Sequence, residues 1–262
     1  MPEILTSRDN ERIKYYIKLV SQASARKESG LFAAEGARLC LDAALSGIGI
    51  REFFCTGEAQ RKHADTCRLL INKAQKAYII SDILSQKMSD TKSPQGIFCM
   101  CETGGLTVNP GELTGSEHIV VLESISDPAN LGSILRSAEA FGYDAVLMSE
   151  DCADMYNSKV LRGSMGAVFR VKTHKTGDFP ALLELLASKG FKTLAAVPYS
   201  DADDIRNIDT SLRPVPVIGN EGNGLTQDTI NACEGRVTIP MAGNAESLNA
   251  GVAAGILMWY LR

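Results

Sequence analysis

Residues 239–262 read IPMAGNAESLNAGVAAGILMWYLR. The apolar run from Leu248 to Leu261, 14 residues rich in Gly and Ala, has the composition of a buried helix and is too short to span a bilayer. Gly251 and Gly255 stand one helical turn apart, where their missing side chains let another backbone approach closely. The entrance to this helix is more polar than a cap requires. A single N-cap side chain serves the orphan N–H groups of a first turn, yet Asn244, Glu246, Ser247 and Asn249 crowd the same place. Either Ser247 is a cap and the remainder core, or the entrance is a site. The strand RVTIP just upstream would deliver that entrance to the carboxyl edge of a parallel sheet, where such sheets hold their ligands.

The pattern continues upstream. Strand HIVVLES (118–124), helix NLGSILRSAEAFG, strand AVLMS, a helix around Ser158–Gly163, helix FPALLELLASKG, strands FKTLAAV and VPVIG, and a short helix precede RVTIP. Continuous apolar strands alternating with helices predict a mostly parallel α/β sheet covered on both faces. Ahead of it, ETGGLTVNPGELTGSE (102–117) has Gly at 104, 105, 111 and 115 and Pro110, which marks a linker. The expected organisation is a first domain over 1–102, a linker over 103–117 and a second domain over 118–262. In the first domain RIKYYIKLV reads as a helix, FAAEGARLCLDAALSG as a helix stopped by Gly47, and REFFCTG as a strand. A polar helix around Arg61–Lys76, strand AYIIS, short helix SDILSQKM and strand GIFCMC complete a small α/β domain.

Composition bounds the function classes. With 262 residues, 45% apolar and 22% charged, the chain can build two folded domains. The net charge is −4, but residues 1–115 carry 15 Lys and Arg against 13 Asp and Glu, whereas residues 116–262 carry 12 against 18. A polyanion, if one binds, is expected on the front half, where Arg8, Arg12, Lys14, Arg26 and Lys27 are either contacts to it or a solvated basic face. Seven cysteines form no CxxC pair and three histidines lie far apart, so no metal site is expected and the thiols read as small buried hydrophobes. Met1–Asp9 is polar and mixed in charge, unlike a secretory signal. The expected setting is cytoplasmic, with no membrane contact.

Two further stretches follow apolar strands. In SDPANLGSILRSAEAFG (126–142), Asp127-Pro128 can start a turn, Asn130 stands at a helix start and Arg136 follows one and a half turns later. Taken alone, the pattern is better accounted for by a capping Asn with a solvated Arg. In VIGNEGNGLT (217–226), three glycines around Asn220, Glu221 and Asn223 form a loop that is neither a Walker loop nor a GxGxxG fingerprint. The glutamate would repel a pyrophosphate and suits a ligand with donors or positive charge, such as an amino acid or a sulfonium. Between them, RGSMG (162–166) reads as a helix end followed by a strand.

Together DPANLGSILRSAEAFG, RGSMGAVF, VIGNEGNGL and IPMAGNAESLNAGVAAG resemble, in order and spacing, the motifs of the SpoU (TrmH-like) branch of the SPOUT methyltransferases. TSRDNERIKYYIKL, GLFAAEGARLCLDAAL and SDTKSPQGIFCM are similar to the RNA-binding domain attached to many members. The resemblance implies a small N-terminal α/β substrate-binding domain and a C-terminal α/β domain closed by a trefoil knot, a rare exception to unknotted topology. It implies a homodimer formed through the C-terminal domain, S-adenosylmethionine as cofactor, and methylation of a ribose 2′-hydroxyl in RNA. Ribosomal RNA of the 23S type is the leading substrate and tRNA the alternative.

Carried over by motif, Asn130, Arg136, Glu221, Ser247 and Asn249 are the catalytic candidates, and Gly219, Ile239, Met241 and Leu248 the cofactor-binding ones. Ala250 stands where the family usually has Val. A guanidinium with a pKa above about 12 is a poor base, so Arg136 is assigned to gripping an RNA phosphate. Asn130, Ser247 and Asn249 would orient the hydroxyl, and Glu221 would accept hydrogen bonds within the site or from the substrate. A nicotinamide oxidoreductase is excluded by the lack of GxGxxG after the first strand of either domain. A catalytically silent RNA-binding or assembly factor on the same fold is the remaining rival, which cofactor binding would separate.

Overall fold

A computed structural model describes residues 2–104, 106–114, 117–198 and 201–262. Gly105, Gly115 and Ser116 of the expected linker lie outside the described residues. The chain forms two compact units: Met1–Gly105 with Tyr156–Phe169, and Leu106–Met155 with Arg170–Arg262.

The first unit carries β1 (Glu3–Leu5), α1 (Glu11–Ser21), α2 (Ala23–Ser29), β2 (Leu31–Glu35), α3 (Ala37–Leu45), β3 (Ile50–Thr56), α4 (Gly57–Lys62), α5 (Ala64–Lys73), β4 (Ala74–Ile80), α6 (Asp82–Met88) and β5 (Ile97–Glu102). Its sheet runs β1-β4-β3-β5-β2, parallel except for the antiparallel pairs that β5 makes with β3 and β2. The single helix expected over residues 32–47 is two elements. Phe32, Ala33 and Ala34 pair with Cys101, Met100 and Cys99 as strand β2, and Gly36, at φ 97°, turns the chain into α3. The polar helix expected around 61–76 is likewise two, α4 and α5, and residues 74–76 already belong to β4. Aromatic side chains from one helix and two adjacent strands fill one side of the core: Tyr16 meets the Phe54 and Phe98 rings edge-on at 6.2 and 5.6 Å and donates its hydroxyl to the Ala34 carbonyl at 3.1 Å.

Helix α8 (Ser158–Ser164) belongs to this unit by its contacts. Asp90 accepts hydrogen bonds from Ser158 and Arg162 at 2.8 and 2.9 Å, and the Tyr156 and Phe169 rings lie against Phe32 at 4.7 and 5.8 Å. Of the five front-half cations singled out above, three have structural partners. Arg26 is buried and donates to the Leu19 and Val20 carbonyls, Arg12 pairs with Glu52, and Lys14 pairs with Glu11. Arg26 is therefore neither an RNA contact nor part of a solvated face; Arg8 and Lys27 are exposed.

The second unit is a seven-stranded sheet in which every pair is parallel: β6 (Ile119–Leu122), β7 (Ala145–Ser149), β8 (Lys172–Thr176), β9 (Lys192–Ala196), β10 (Asp203–Asp204), β11 (Pro214–Ile218) and β12 (Gly235–Thr238), ordered β10-β12-β9-β11-β6-β7-β8. Val121, Leu147, Ala195 and Val217 share a buried cluster with Leu182, Leu183 and Leu186 of α9 (Phe179–Ser188) and Ile230 of α10 (Gln227–Ala232). The alternate residues Val120, Leu122, Val146 and Met148 point the other way and are equally buried. Helices α7 (Pro128–Ala140) and α11 (Ala250–Tyr260) pack on each other and against β7 and β11. Among the described residues no helix is long and apolar enough to cross a membrane. Six of the seven thiols are buried and Cys233 is partly so, all of them free.

Candidate active site

Because β11 pairs with β6 in parallel register, Ile218 beside Leu122, the loops that leave their carboxyl ends start next to each other. The 219–226 loop is a tight return. Asn220 and Gly224 exchange both backbone hydrogen bonds, at 3.0 and 2.9 Å. A Cβ on Gly219 would stand 2.3 Å from the Gly224 carbonyl carbon and the Leu225 nitrogen, so only glycine fits there. Glu221 is held at the tip.

Its carboxylate accepts from the Ser126 N–H and hydroxyl at 3.2 and 3.1 Å, the Asp127 N–H at 3.0 Å, the Asn130 amide at 2.9 Å and the Asn220 amide at 3.3 Å. Burial pushes the carboxyl up, but the bonds from Asn130 and from the loop N–H groups outweigh it and hold Glu221 below the usual carboxylate range. Five donors occupy the acceptor capacity of one carboxylate. Glu221 thus ties its own loop to the start of α7.

Asp127, and not Asn130, caps α7: its side chain accepts from the Ala129 N–H at 2.8 Å, and Pro128 takes the first helical position. That frees Asn130, buried in the first turn, to bridge. It donates to Glu221 and accepts from the Asn249 amide at 2.9 Å. Asn249, and not Ser247, is the cap of α11; its Oδ1 accepts from the Gly251 and Val252 N–H groups at 3.0 and 3.2 Å while its Nδ2 reaches Asn130. A continuous hydrogen-bonded chain therefore runs from the start of α11 through Asn249 and Asn130 to Glu221.

Around this chain lies a pocket of about 450 Å³ lined by Ser126, Asp127, Asn130, Glu221, Ser247, Leu248, Asn249 and Ala250. Four of the five catalytic candidates and one of the four cofactor candidates, Leu248, meet there. Arg136 does not: it is exposed on α7, about 9 Å along the helix axis from Asn130. Gly219 closes β11, and half-buried Ile239 and exposed Met241 follow β12, on the same carboxyl edge but off the lining. Ser126 and Asp127, whose N–H groups hold Glu221, were not singled out as binding groups; a backbone donor has no side-chain signature, and the Asp-Pro turn was its only trace. The lining holds two carboxylates and no cation, which favours a positively charged ligand and disfavours a phosphate.

Residues 117–259 match the model of the SpoU rRNA Methylase family. The chain belongs to that family. Residues 10–99 match the MRM3-like substrate binding domain. Among SpoU relatives, an uncharacterized tRNA/rRNA methyltransferase of Synechocystis is 30% identical over 98% of this chain and 93% of its own length. The 23S rRNA (guanosine(2553)-2′-O)-methyltransferase RlmP of Bacillus subtilis is 27% identical over 98% of both. The AdoMet-bound rRNA methyltransferase of Sinorhizobium meliloti superposes with a TM-score of 0.86 at 25% identity, covering 99% of this chain and 97% of that one.

Proposed function

We propose that the protein transfers a methyl group from S-adenosylmethionine to a ribose 2′-hydroxyl of 23S-type ribosomal RNA. The observation that carries this reading is the meeting of Asn130, Glu221, Ser247, Leu248 and Asn249 in one pocket, from motifs far apart in a chain of the SpoU family. The cationic sulfonium suits a lining of two carboxylates without a cationic side chain, so the residues present fit the cofactor. Gly219, Ile239, Met241 and Leu248, on the loops after β11 and β12, are the groups assigned to hold it. When bound, it supplies an already activated methyl group.

The chain's own residues must align the acceptor and help its proton depart. Ser247, Asn249 and Asn130 line the pocket with hydroxyl and amide groups that orient a ribose hydroxyl. Glu221, filled by five donors, shapes the site and leaves substrate contact to its neighbours. Arg136, exposed and outside the acidic lining, is assigned to the phosphate that the pocket itself would repel. Residues 1–102 are assigned to RNA binding, 103–117 to the linker and 118–262 to catalysis, with the C-terminal segment knotted and the protein a cytoplasmic homodimer. Val252, Trp259 and Tyr260, exposed on α11 at 52%, 52% and 49%, support the dimer.

The test is transfer of label from methyl-labelled cofactor to ribosomal RNA of a strain lacking the gene, with the product mapped by resistance of one phosphodiester to alkali. Label on a base, or none with cofactor bound, overturns the reading.

A further inference from the structure

Ser124 stands in the left-handed backbone region, φ 55°, which a residue with a Cβ keeps only where its surroundings enforce it. Three groups do so. The Ser149 hydroxyl accepts from the Ser124 N–H at 2.8 Å, Asp151 accepts from the Ser124 hydroxyl, and the Asn220 amide donates to the Ser124 carbonyl at 2.8 Å. Ser149 also donates its hydroxyl proton to Asp151, so one carboxylate gathers two hydroxyls. The loop bearing Asp151 is itself held: Ala153 N–H donates to the Ile125 carbonyl at 2.8 Å, and Lys175 Nζ donates to the Cys152 carbonyl at 2.6 Å. Ser124 is thus clamped between the loop after β7 and the loop after β11, two residues before the N–H groups of Ser126 and Asp127 that grip Glu221.

We propose that Ser124, clamped by Asp151 and Ser149, is a positioning residue of the active site: its left-handed turn aims the 125–127 loop so that Glu221, Asn130 and Asn249 form one chain. No motif carries this role, since neither Ser124 nor Asp151 lines the pocket. If Ser124 relaxes to negative φ, the two N–H groups leave Glu221 and the pocket loses its floor. For catalysis the proposal rests on the methyl-transfer reading; for loop geometry it stands without it.

Three variants in the full chain test it: Ser124→Ala, Ser124→Gly and Asp151→Asn. Alanine removes the hydroxyl but keeps the Cβ that resists the turn, whereas glycine removes both and adopts positive φ freely. The expected order of kcat on a 23S-type RNA transcript is wild type, then Gly, then Ala, with Ala and Asp151→Asn down on the order of tenfold to a hundredfold. A residue that mattered only for fold stability would lower the urea midpoint of unfolding and leave kcat per folded molecule unchanged in all three variants. Amide hydrogen exchange of a peptide spanning 124–131, with β11 as internal control, reads the loop directly. Protection is expected to fall in Ser124→Ala and Asp151→Asn and to return in Ser124→Gly. Unchanged exchange in Ser124→Ala and Asp151→Asn, or Gly no better than Ala, overturns the proposal. Absence of methyl transfer by the wild type overturns the functional reading instead, and exchange then decides this one alone.

Discussion

At the scale of single residues, the site is a matter of which atoms donate. Asn249 must both accept, to cap α11, and donate, to reach Asn130, so Asn249→Asp keeps the cap but points a carboxylate oxygen at the Asn130 carbonyl. Methyl transfer is expected to fall at least tenfold while circular dichroism shows α11 intact; an active Asp variant would remove Asn249 from the chain. Glu221 makes a second prediction. Its carboxyl lies below the ordinary range, so the stability it contributes is present above the unfolded pKa of about 4.3 and is lost as pH falls through the lower folded value. Glu221→Gln turns an acceptor into a donor facing N–H groups, at a cost, reduced by the exposure of Glu221, of about 0.5–1.5 kcal/mol near pH 7. Urea midpoints should show that deficit shrinking as the pH is lowered below 4; a pH-independent deficit would deny Glu221 its ionised role.

At the scale of elements, legibility followed burial pattern. The parallel strands of the second unit are continuous apolar runs, so β6, β7, β9 and β11 were readable from hydrophobicity alone. Strand β2 was not: Phe32, Ala33 and Ala34 run into the helical ARLCLDAAL, alanine favours helix, and only pairing with β5 overrides it. Strand β8, Lys-Thr-His-Lys-Thr at the sheet edge, offers no apolar signal. The motif order picked out residues that meet in one pocket, Asn130, Glu221, Ser247 and Asn249, but not which Asn or Asp caps which helix, because capping depends on where the first turn begins within two residues.

Helix α1 and strand β3 carry a third prediction. Glu52 is 8% exposed, and its Oε2 has no hydrogen-bond partner among the described residues. Burial raises its carboxyl above 4.5, against the pull of Arg12 and Lys76. Arg12→Ala strands that carboxylate, costing about 1–3 kcal/mol. A raised folded pKa leaves stability intact below the unfolded value and erodes it as pH rises through the folded one. The variant's deficit in urea unfolding should therefore be larger at pH 7 than at pH 4.5; equal deficits would mean that only packing over Tyr78, 5.2 Å away, was lost.

At the scale of the whole molecule, residues 156–169, between β7 and β8, belong to the first unit by contact although they lie within the matched SpoU segment. Deleting residues 1–105 would strip Phe32 from Tyr156 and Phe169 and uncover α8, so a truncation would report exposed apolar surface as much as lost RNA binding. Substitution at an exposed position is the cleaner probe of assembly. α11 is apolar nearly all round, with Gly251 and Ala254 buried and Val252, Trp259 and Tyr260 open. In a surface helix the apolar residues would keep to one stripe, and a helix that departs from this is expected to bury its second face against a partner. If that partner is α11 of another copy, Val252→Glu places a carboxylate in a two-fold contact and meets its own image. Sedimentation velocity at micromolar concentration is then expected to show a dimer for the parent and a monomer for the variant. Methyl transfer should fall in proportion, and cofactor affinity should fall with it if the partner helps order the loops after β11 and β12. A parent that sediments as a monomer, or a variant that stays dimeric, would assign the exposed face of α11 to another occupant.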